Sequence, residues 1–175
     1  MLITLTGASA SGKTSILKKL VEENVVNRIV TTTTREPRRG EVNGVDYHFT
    51  TKDAFDKSQM AEFVEFNDNL YGTSLDEIEN AISSKEIYMV ILDRKGVNNL
   101  RKLYSNKITA IYLKVSKTTC RKRLVRRDGL EKGLSRFKAD KIENLYNDSG
   151  YDYVVENKKD FLTAYNQMKD IITSL

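Results

Sequence analysis

Two glycines near the N-terminus enclose a short turn with the residue types of a phosphate-binding loop. The stretch is Gly7-Ala8-Ser9-Ala10-Ser11-Gly12-Lys13-Thr14, which satisfies the spacing G-x-x-x-x-G-K-S/T. Gly7 and Gly12 permit a tight turn in which successive backbone N–H groups point at phosphate oxygens. A helix that begins near Lys13 would add its positive end. Lys13 is expected to reach the β- and γ-phosphates of a nucleoside triphosphate, and the Thr14 hydroxyl to bind Mg²⁺.

The context of this turn favours a phosphate site over a chance match in a glycine-containing turn. An apolar stretch typical of a buried strand, 2–6, precedes it directly, and an amphipathic stretch typical of a helix, 13–23, follows it. The turn does not reveal the reaction, because GTPase switches, motor ATPases and small-molecule kinases all bind phosphate in this way. The rest of the chain must discriminate between them.

A second segment, 31–49, resembles guanylate kinases. It reads TTTTREPRRGEVNGVDYHF and contains every named position of that family's signature T-T-R-x-P-R-x-G-E-x-x-G-x-D-Y-x-F. The later segments that agree in order and approximate spacing are Glu62-Phe63-Val64-Glu65, Tyr71-Gly72-Thr73-Ser74, Asp93 with Gly96, Arg123-Leu124 with Arg127, Arg136, and Tyr151-Asp152-Tyr153 before Asn157. The resemblance therefore covers essentially the whole chain.

The resemblance implies transfer of the γ-phosphoryl group of ATP to GMP, with Mg²⁺ bound alongside ATP. By the same resemblance, the residues that hold the GMP phosphate are Arg35, Arg38, Tyr47 and Tyr71, and those that face guanine are Thr31, Glu65, Thr73 and Asp93. The arginines that converge on the ATP phosphates are Arg123, Arg127 and Arg136, and Asn157 lies beside adenine. Together with Lys13 and Arg35, these three arginines form the expected catalytic set, and Asp93 is a second candidate for the metal shell.

The chemistry of this reaction agrees with the residue types. The GMP phosphate is largely dianionic at pH 7 and is already a nucleophile, so no general base is needed. His48 is the only histidine and is expected to pack or to face solvent. Phosphoryl transfer instead needs positioned cations, and the planar fork of arginine binds phosphate through two hydrogen bonds. Arg123 and Arg127 share one helix face at a spacing of four residues, although solvated surface arginines would show the same spacing.

Two carboxylates would explain a preference for guanine. Guanine presents donors at N1 and N2, which Glu65 and Asp93 could accept, whereas adenine presents an acceptor at N1 and would leave a carboxylate unpaired. The alternative for Glu65 is an exposed strand residue, because Glu62-Phe63-Val64-Glu65-Phe66 alternates between polar and apolar residues. The position of Glu65 in the family motif, rather than the alternation of residues, favours a role in binding guanine.

The order of elements predicts an α/β fold with a five-stranded parallel sheet flanked by helices. The resemblance implies that this is the P-loop nucleoside monophosphate kinase fold. The predicted strands are 2–6, 28–33, 87–93, 108–115 and 151–156, and the predicted helices are 13–23, 97–104, 117–126, 134–146 and 159–173. In the last helix, Phe161, Tyr165, Met168 and Ile172 form one apolar stripe that is expected in the core.

An insertion interrupts this alternation. We predict a core domain over 1–33 and 84–175 and a GMP-binding subdomain over 34–83. Within the subdomain we expect strands at 47–50 and 62–66, a helical stretch at 52–58, and a helix opened by Ser74 with Glu77 three residues later, as in a capping box. A lid over ATP is expected as a mobile loop at 127–135, in which Gly129 and Gly133 would allow flexing.

The chain departs from the family pattern at a few positions. Ile91 stands where the family usually has a second aspartate two residues before the position of Asp93, and the stretches from Glu65 to Tyr71 and from Arg127 to Arg136 are short by about three and about two residues. Ala10 and Ser11 stand where glycine is common. Both fit the loop if φ stays negative.

Composition sets the remaining limits. The 175 residues suit one domain with a sizeable core, and the net charge of +5 suits a polyanionic substrate or a plain basic surface. Cys120 is the only cysteine and is expected to be buried rather than nucleophilic. With no signal peptide or apolar run of membrane-spanning length, we expect a cytoplasmic protein. Its expected partners are ATP and GMP or dGMP, without nucleic acid or membrane, and it is expected to be a monomer or weak homodimer.

Two other functions are compatible with this fold. The first is a guanylate-kinase-like binding domain that has lost catalysis, a change that typically removes the loop lysine or the lid arginines. Lys13, Arg123, Arg127 and Arg136 are all present in this chain. The second is a kinase of a sugar phosphate, against which Glu65, Tyr47 and the full signature argue.

Overall fold

The computed structural model describes residues 1–158 and 160–175 of an α/β protein whose five-stranded parallel sheet is flanked by helices. The strands are β1 (Leu2–Thr6), β2 (Asn27–Arg28), β3 (Thr32–Thr33), β4 (His48–Phe49), β5 (Met60–Phe66), β6 (Asn69–Ser74), β7 (Tyr88–Ile91), β8 (Ile108–Lys114) and β9 (Tyr153–Glu156). The helices are α1 (Lys13–Glu22), α2 (Leu75–Ser83), α3 (Arg94–Tyr104), α4 (Lys117–Asp128), α5 (Leu130–Ile142) and α6 (Phe161–Thr173).

The parallel sheet has the strand order β2-β7-β1-β8-β9, and a second, four-stranded sheet has the order β4-β3-β6-β5. Every residue of β1 is buried, as is nearly all of β8, which explains their continuous apolar sequences. The chain divides into two compact units, one made of Met1–Thr4 and Val26–Thr109 and the other of Leu5–Val25 and Ala110–Leu175. Each unit is described by itself below.

In the first unit, the predicted single strand 28–33 is wrong, because the chain changes sheets within it. Asn27 and Arg28 pair in parallel with β7, and the Ile29 N–H still donates to the Met89 carbonyl at 3.0 Å. Four residues further on, Thr32 and Thr33 pair with β4 and β6 of the four-stranded sheet. The β-branched run that resembles one strand therefore supplies two short ones.

The four-stranded sheet contains a strand that the sequence analysis missed. β5 and β6 form an antiparallel hairpin whose turn residues, Asn67 and Asp68, both have positive φ (51° and 60°). Asn and Asp tolerate this conformation, and two such residues favour a tight hairpin turn. The signal for β6 was therefore present as Asn-Asp followed by a short apolar run.

The predicted helical stretch 52–58 is also wrong. Side chains compete for the backbone there: Thr51 Oγ1 accepts the Ala54 N–H at 3.2 Å, and Asp56 Oδ1 accepts the Ser58 N–H at 2.9 Å. Such local bonds offer the chain turns in place of a helix. The only helical geometry described near this stretch is a single 3-10 turn over Lys57–Gln59.

Two helices of the first unit begin differently from the prediction. α2 does follow Ser74, but the Ser74 side chain forms no capping hydrogen bond, so the predicted capping box is not formed. α3 starts three residues earlier than predicted because the Asp93 carboxylate caps it, accepting the Gly96 N–H at 2.8 Å. Asp93 thus has a local structural task in addition to the one expected of it.

In the second unit, the predicted lid loop 127–135 is helical instead. α4 continues to Asp128, Gly129 turns the chain with φ +84°, and α5 begins at Leu130. Gly133 lies inside α5, where an added Cβ would come within 2.7 Å of Val125 Cα and 2.8 Å of the Leu124 carbonyl. Gly133 therefore allows two helices to pack backbone against backbone, and it is not a hinge.

The last helix follows the prediction more closely. Asp160 caps α6, and Tyr165, Met168 and Ile172 are buried while Phe161 is half-buried. The predicted first residue of this helix, Lys159, lies outside the described residues. Cys120 is buried in α4, as expected.

Within residues 1–158 and 160–175, helices long and apolar enough to cross a bilayer are absent.

We expect Gly133→Ala to destabilise the protein although alanine is the better helix former. The added methyl group would overlap backbone atoms of α4, and such overpacking costs about 1–3 kcal/mol, which exceeds the gain of about 1 kcal/mol in helix propensity. Urea unfolding would measure the change. Ser135→Ala, at an exposed position of the same helix, is the matched control and should change the unfolding free energy by less than about 0.5 kcal/mol.

Candidate active site

The glycine-bounded turn of the second unit is closed by contacts that exclude larger residues. A Cβ on Gly7 would lie 2.6 Å from the Leu113 carbonyl oxygen at the end of β8. Gly12 has φ +105° and stands immediately before α1. Both glycines of the predicted motif are therefore required by the backbone.

The Lys13 ammonium group folds back over this turn. Its Nζ donates to the carbonyls of Gly7 at 2.7 Å and Ala8 at 2.9 Å. Burial, aided by the charges of Arg136 and Arg127 and opposed by that of Asp140, lowers the pKa of Lys13 to about 8. A partly desolvated cation at the start of a helix is well placed to bind an anion.

Ala10 does not meet the condition of a negative φ under which the sequence analysis expected it to fit the loop. Its φ is +61°, in the left-handed region, whereas Ser11 keeps a negative φ. The expectation that both residues fit with negative φ is thus wrong for Ala10. The left-handed conformation costs a residue with a Cβ about 1–2 kcal/mol, which explains why glycine suits this position.

Two of the predicted arginines contact this turn, and the third lies near its lysine. Arg123 donates to the carbonyls of Ala10 at 3.2 Å and Ser11 at 3.4 Å. Arg136 Nε donates to Ser9 Oγ at 3.1 Å. Arg127 forms two 2.7 Å hydrogen bonds with the Asp128 carboxylate, and its charge lowers the pKa of Lys13. The structure therefore brings Arg123 and Arg136 into contact with the phosphate loop, whereas Arg127 is bonded to Asp128.

Asn157 and Thr14 flank the turn. The Asn157 amide is buried and donates to the Ser11 carbonyl at 2.9 Å, so it supports the loop backbone directly. Thr14 is exposed in the first turn of α1, where its hydroxyl can reach a ligand. Asn157 thus has a visible role in holding the loop.

In the first unit, the two arginines of the signature segment meet on one carboxylate. Arg35 donates to both oxygens of Glu41, at 3.0 and 2.9 Å. The Arg38 N–H donates to Glu41 Oε2 at 2.8 Å, and the Arg38 guanidinium lies 3.6 Å from Oε1. Glu41 therefore fixes the separation of the two guanidinium groups. The sequence analysis quoted Glu41 within the signature but gave it no task.

Two tyrosines complete this cluster. The Arg35 guanidinium lies 5.3 Å from the centre of the Tyr47 ring, and the rings of Tyr47 and Tyr71 meet edge to face at 6.2 Å. Burial raises the pKa of Tyr47, so its hydroxyl stays a donor. Among the described residues, none forms a hydrogen bond with the buried Tyr71 hydroxyl. Two cations and two phenolic hydroxyls, one of them available, suit a phosphate group.

The buried carboxylate of the four-stranded sheet is Glu62, not the predicted Glu65. Glu62 is 5% exposed and faces Thr73 across the β5–β6 hairpin. Its carboxylate accepts a hydrogen bond from the Thr73 hydroxyl at 2.7 Å. Glu65 is exposed and pairs with Leu70 at the other end of the hairpin. The structure therefore does not bring Glu65 together with Thr73 and Asp93.

Asp93 and Gly96 lie beside this carboxylate. Burial, together with the nearby charge of Asp93 and against the hydrogen bond from Thr73, raises the pKa of Glu62 to about 7. A Cβ on Gly96 would stand 2.7 Å from Glu62 Oε2, so only glycine leaves room for the carboxylate there. Thr31 is buried in the segment that leads into β3.

The order of polar and apolar residues on β5 held no signal that singled out Glu62. On β5, the polar residue Glu62 is buried while the neighbouring Phe63 is 39% exposed. An inward acid beside an outward aromatic residue reverses the usual pattern, and such reversals are expected at functional or strained sites. Alternation alone could not reveal which of the two faces was buried.

The fold and the loop define the class: this is a P-loop protein with the nucleoside monophosphate kinase fold. A scan against protein families matches the whole chain, residues 1–175, to guanylate kinase. The guanylate kinase of Campylobacter jejuni (strain RM1221) is 31% identical over 182 residues, covering 97% of this chain and 86% of that protein. The guanylate kinase of Bacillus subtilis (strain 168) is 32% identical over 180 residues, covering 98% and 87%. The chain belongs to the guanylate kinase family.

The same fold occurs in a solved structure. The crystal structure of guanylate kinase from Anaplasma phagocytophilum superimposes with a TM-score of 0.76 at 22% identity, over 99% of this chain and 84% of that chain. This likeness supports the α/β architecture predicted from the order of elements.

We expect the free energy of unfolding to depend on pH through Glu62. Its pKa is about 7 in the folded protein and 4.5 as a reference, so the folded state binds more protons between these values and loses stability as the pH rises. The loss amounts to about 3 kcal/mol. Glu62→Gln should remove it, so the variant should gain stability relative to the parent between pH 5 and pH 8 in urea titrations. Glu65→Gln is the matched control and should follow the parent; parallel curves for Glu62→Gln would contradict the assignment.

Proposed function

We propose that the protein is an active guanylate kinase, which transfers the γ-phosphoryl group of ATP to GMP and yields ADP and GDP. The observation that carries this proposal is the family match over the whole chain, combined with an intact phosphate loop that Lys13, Arg123 and Arg136 contact. In-line transfer between two anions needs alignment and fixed positive charge rather than a general base. His48, the only histidine in the sequence, is exposed, which agrees with a reaction that needs no general base.

The GMP phosphate would bind to the cluster of Arg35, Arg38, Tyr47 and Tyr71. Arg35 and Arg38 are held at a fixed separation by Glu41, so little ordering is needed when the phosphate arrives. The buried Tyr71 hydroxyl would gain its hydrogen-bond partner from the ligand.

Guanine would bind at Glu62, Asp93 and Thr73. The two carboxylates accept hydrogen bonds from the N1 and N2 donors of guanine, and Thr73 already orients Glu62. Glu62 takes the place that the sequence analysis gave to Glu65. Thr31, buried nearby in the chain's approach to β3, completes the proposed base-facing set.

The ATP phosphates would bind to residues 7–14 with Lys13, Arg123, Arg127 and Arg136, and adenine would lie towards Asn157. Mg²⁺ prefers oxygen ligands and commonly keeps several waters and phosphate oxygens in its shell. The exposed Thr14 hydroxyl fits that mode, and the described residues hold no group of three or more acidic, histidine or cysteine ligands that would compete with it. When bound, the metal ion supplies neutralisation of phosphate charge. Asp93, the second candidate ligand, is engaged at Gly96 and beside Glu62.

We further propose a core domain over 1–33 and 84–175 and a GMP-binding subdomain over 34–83. In this proposal the lid over ATP, predicted at 127–135, is formed by the end of α4, Gly129 and the start of α5. We place the protein in the cytoplasm, as a monomer or weak homodimer, with GMP or dGMP and ATP as its small-molecule substrates and with neither nucleic acid nor membrane as a partner.

The first prediction concerns the acceptor nucleotide. In a coupled assay of ADP release with Mg-ATP, GMP should be used at least about tenfold to a hundredfold better than AMP, CMP or UMP, because the wrong base leaves a buried carboxylate unpaired. Glu62→Gln should lower kcat/KM for GMP at least about tenfold. Glu65→Gln should stay within about twofold. Faster turnover of another monophosphate than of GMP would overturn the proposed function.

The second prediction concerns the loop lysine. Lys13→Ala should lower kcat by about 10²–10³, as expected when a preorganised charge at the transferred phosphate is lost, while the circular dichroism spectrum is unchanged. Lys18→Ala is the matched control, since Lys18 is an exposed residue of the same helix. Near-normal turnover by the Lys13 variant would show that the loop does not hold the reacting phosphates.

A further inference from the structure

One buried acid of the second unit has so far appeared only through its charge on Lys13. Asp140 lies on α5 and is fully buried. Its Oδ2 accepts a hydrogen bond from the Ser9 N–H at 2.6 Å, and its Oδ1 accepts one from the Ser9 hydroxyl at 2.8 Å. Ser9 is the third residue of the phosphate loop, and one carboxylate therefore occupies both of its donors.

Arg136 reaches the same serine from one helical turn earlier. Its Nε donates to Ser9 Oγ at 3.1 Å, and the spacing of four residues places Arg136 and Asp140 on one face of α5. The Ser9 hydroxyl thus accepts from the arginine and donates to the aspartate. Removing the Asp140 carboxylate would leave the Ser9 hydroxyl free to rotate. The Arg136 guanidinium group would then lose a partner that fixes its orientation.

An acid at this position is costly and needs a reason. Burial raises the pKa of Asp140, while the bonds from Ser9 and the charges of Lys13 and Arg136 lower it. A negative charge beside an anion-binding loop also repels the anion. These costs would be absent with an apolar residue, so the acid contributes its two hydrogen bonds with Ser9 and its charge near Lys13 and Arg136.

We propose that Asp140 is a positioning residue for phosphoryl transfer, which fixes Ser9 and through it holds Arg136 towards the ATP phosphates. The inference rests on the proposed function, since it assigns Arg136 to those phosphates. It also revises one detail of the phosphate loop. While the contact persists, the Ser9 N–H is directed to Asp140 and is not a phosphate donor.

Two simpler roles give different results. If Asp140 only stabilised the fold, its removal would lower the melting temperature without a kinetic effect that depends on Arg136. If it acted only through its charge on Lys13, Asp140→Asn and Asp140→Ala would behave alike, because both remove the charge. Asparagine differs from alanine in retaining an oxygen that can accept the Ser9 N–H and an amide that can donate to its hydroxyl.

The test is a double-mutant cycle that combines D140N and D140A with R136A. Steady-state kinetics with Mg-ATP and GMP give kcat, calorimetry gives the Kd for ATP, and thermal melts monitor stability. With Arg136 present, D140A should lower kcat about tenfold to a hundredfold, as expected for a misplaced catalytic group, and D140N should retain most of the activity. In the R136A background, the two Asp140 variants should agree within about twofold in kcat and in Kd.

Several outcomes would overturn the proposal: an unchanged kcat for D140A, equal losses for D140N and D140A, or effects of D140A and R136A that multiply. If D140A does not fold, Ser9→Ala removes the same hydroxyl and should reproduce the Arg136-dependent loss. If the parent binds ATP but leaves GMP unchanged, the proposed function fails. In that case the ATP affinities still test the role of Asp140. With Arg136 present, D140A should bind ATP about tenfold more weakly than D140N. In the R136A background this difference should disappear.

Discussion

Positive charge held in place before any substrate arrives is the constraint on which the rest of this structure depends. Two phosphate groups repel one another, so a protein that joins them must supply cations whose positions do not have to be found during the reaction. Lys13 is held by the carbonyls of Gly7 and Ala8, and Arg35 by Glu41. In both cases the partner is an oxygen of the protein's own chain.

Carboxylates act as the fixed counterparts of these cations. Glu41 sets the two arginines of the signature segment, Asp128 binds Arg127 through both of its oxygens, and Asp140 reaches Arg136 through a serine hydroxyl. Each of these acids is buried or partly buried, which strengthens its hold on the cation at the cost of desolvation. In the proposed function, a bound phosphate would compete with these acids for the same guanidinium groups, so affinity would be balanced against preorganisation.

The sequence predicted the reaction class better than the details of the site. The glycine spacing of the phosphate loop, the strand before it and the helix after it were readable because they depend on local backbone geometry. The sequence analysis chose Glu65 rather than Glu62 because a period of two residues does not reveal which face of β5 is buried, whereas the pairing of Glu62 with Thr73 does. Asp140 could not have been found from the sequence, since its contacts with Ser9 span 131 residues.

The errors in the fold have a common physical cause. Glycines were interpreted as sites of flexibility, yet Gly133 is required by close packing of α5 on α4. Likewise, the stretch 52–58 lacked strong breakers, but Thr51 and Asp56 draw backbone N–H groups into turns. Tertiary contacts and short side-chain bonds, rather than propensity, determined the structure at these positions.

The absence of one methyl group at Gly133 has a mechanical consequence for the nucleotide site. α4 and α5 touch through their main chains at this position, and the two helices carry Arg123, Arg127 and Arg136. Such close packing leaves little room for one helix to shift against the other. In the proposed function, the three guanidinium groups would therefore approach a bound triphosphate together rather than one at a time.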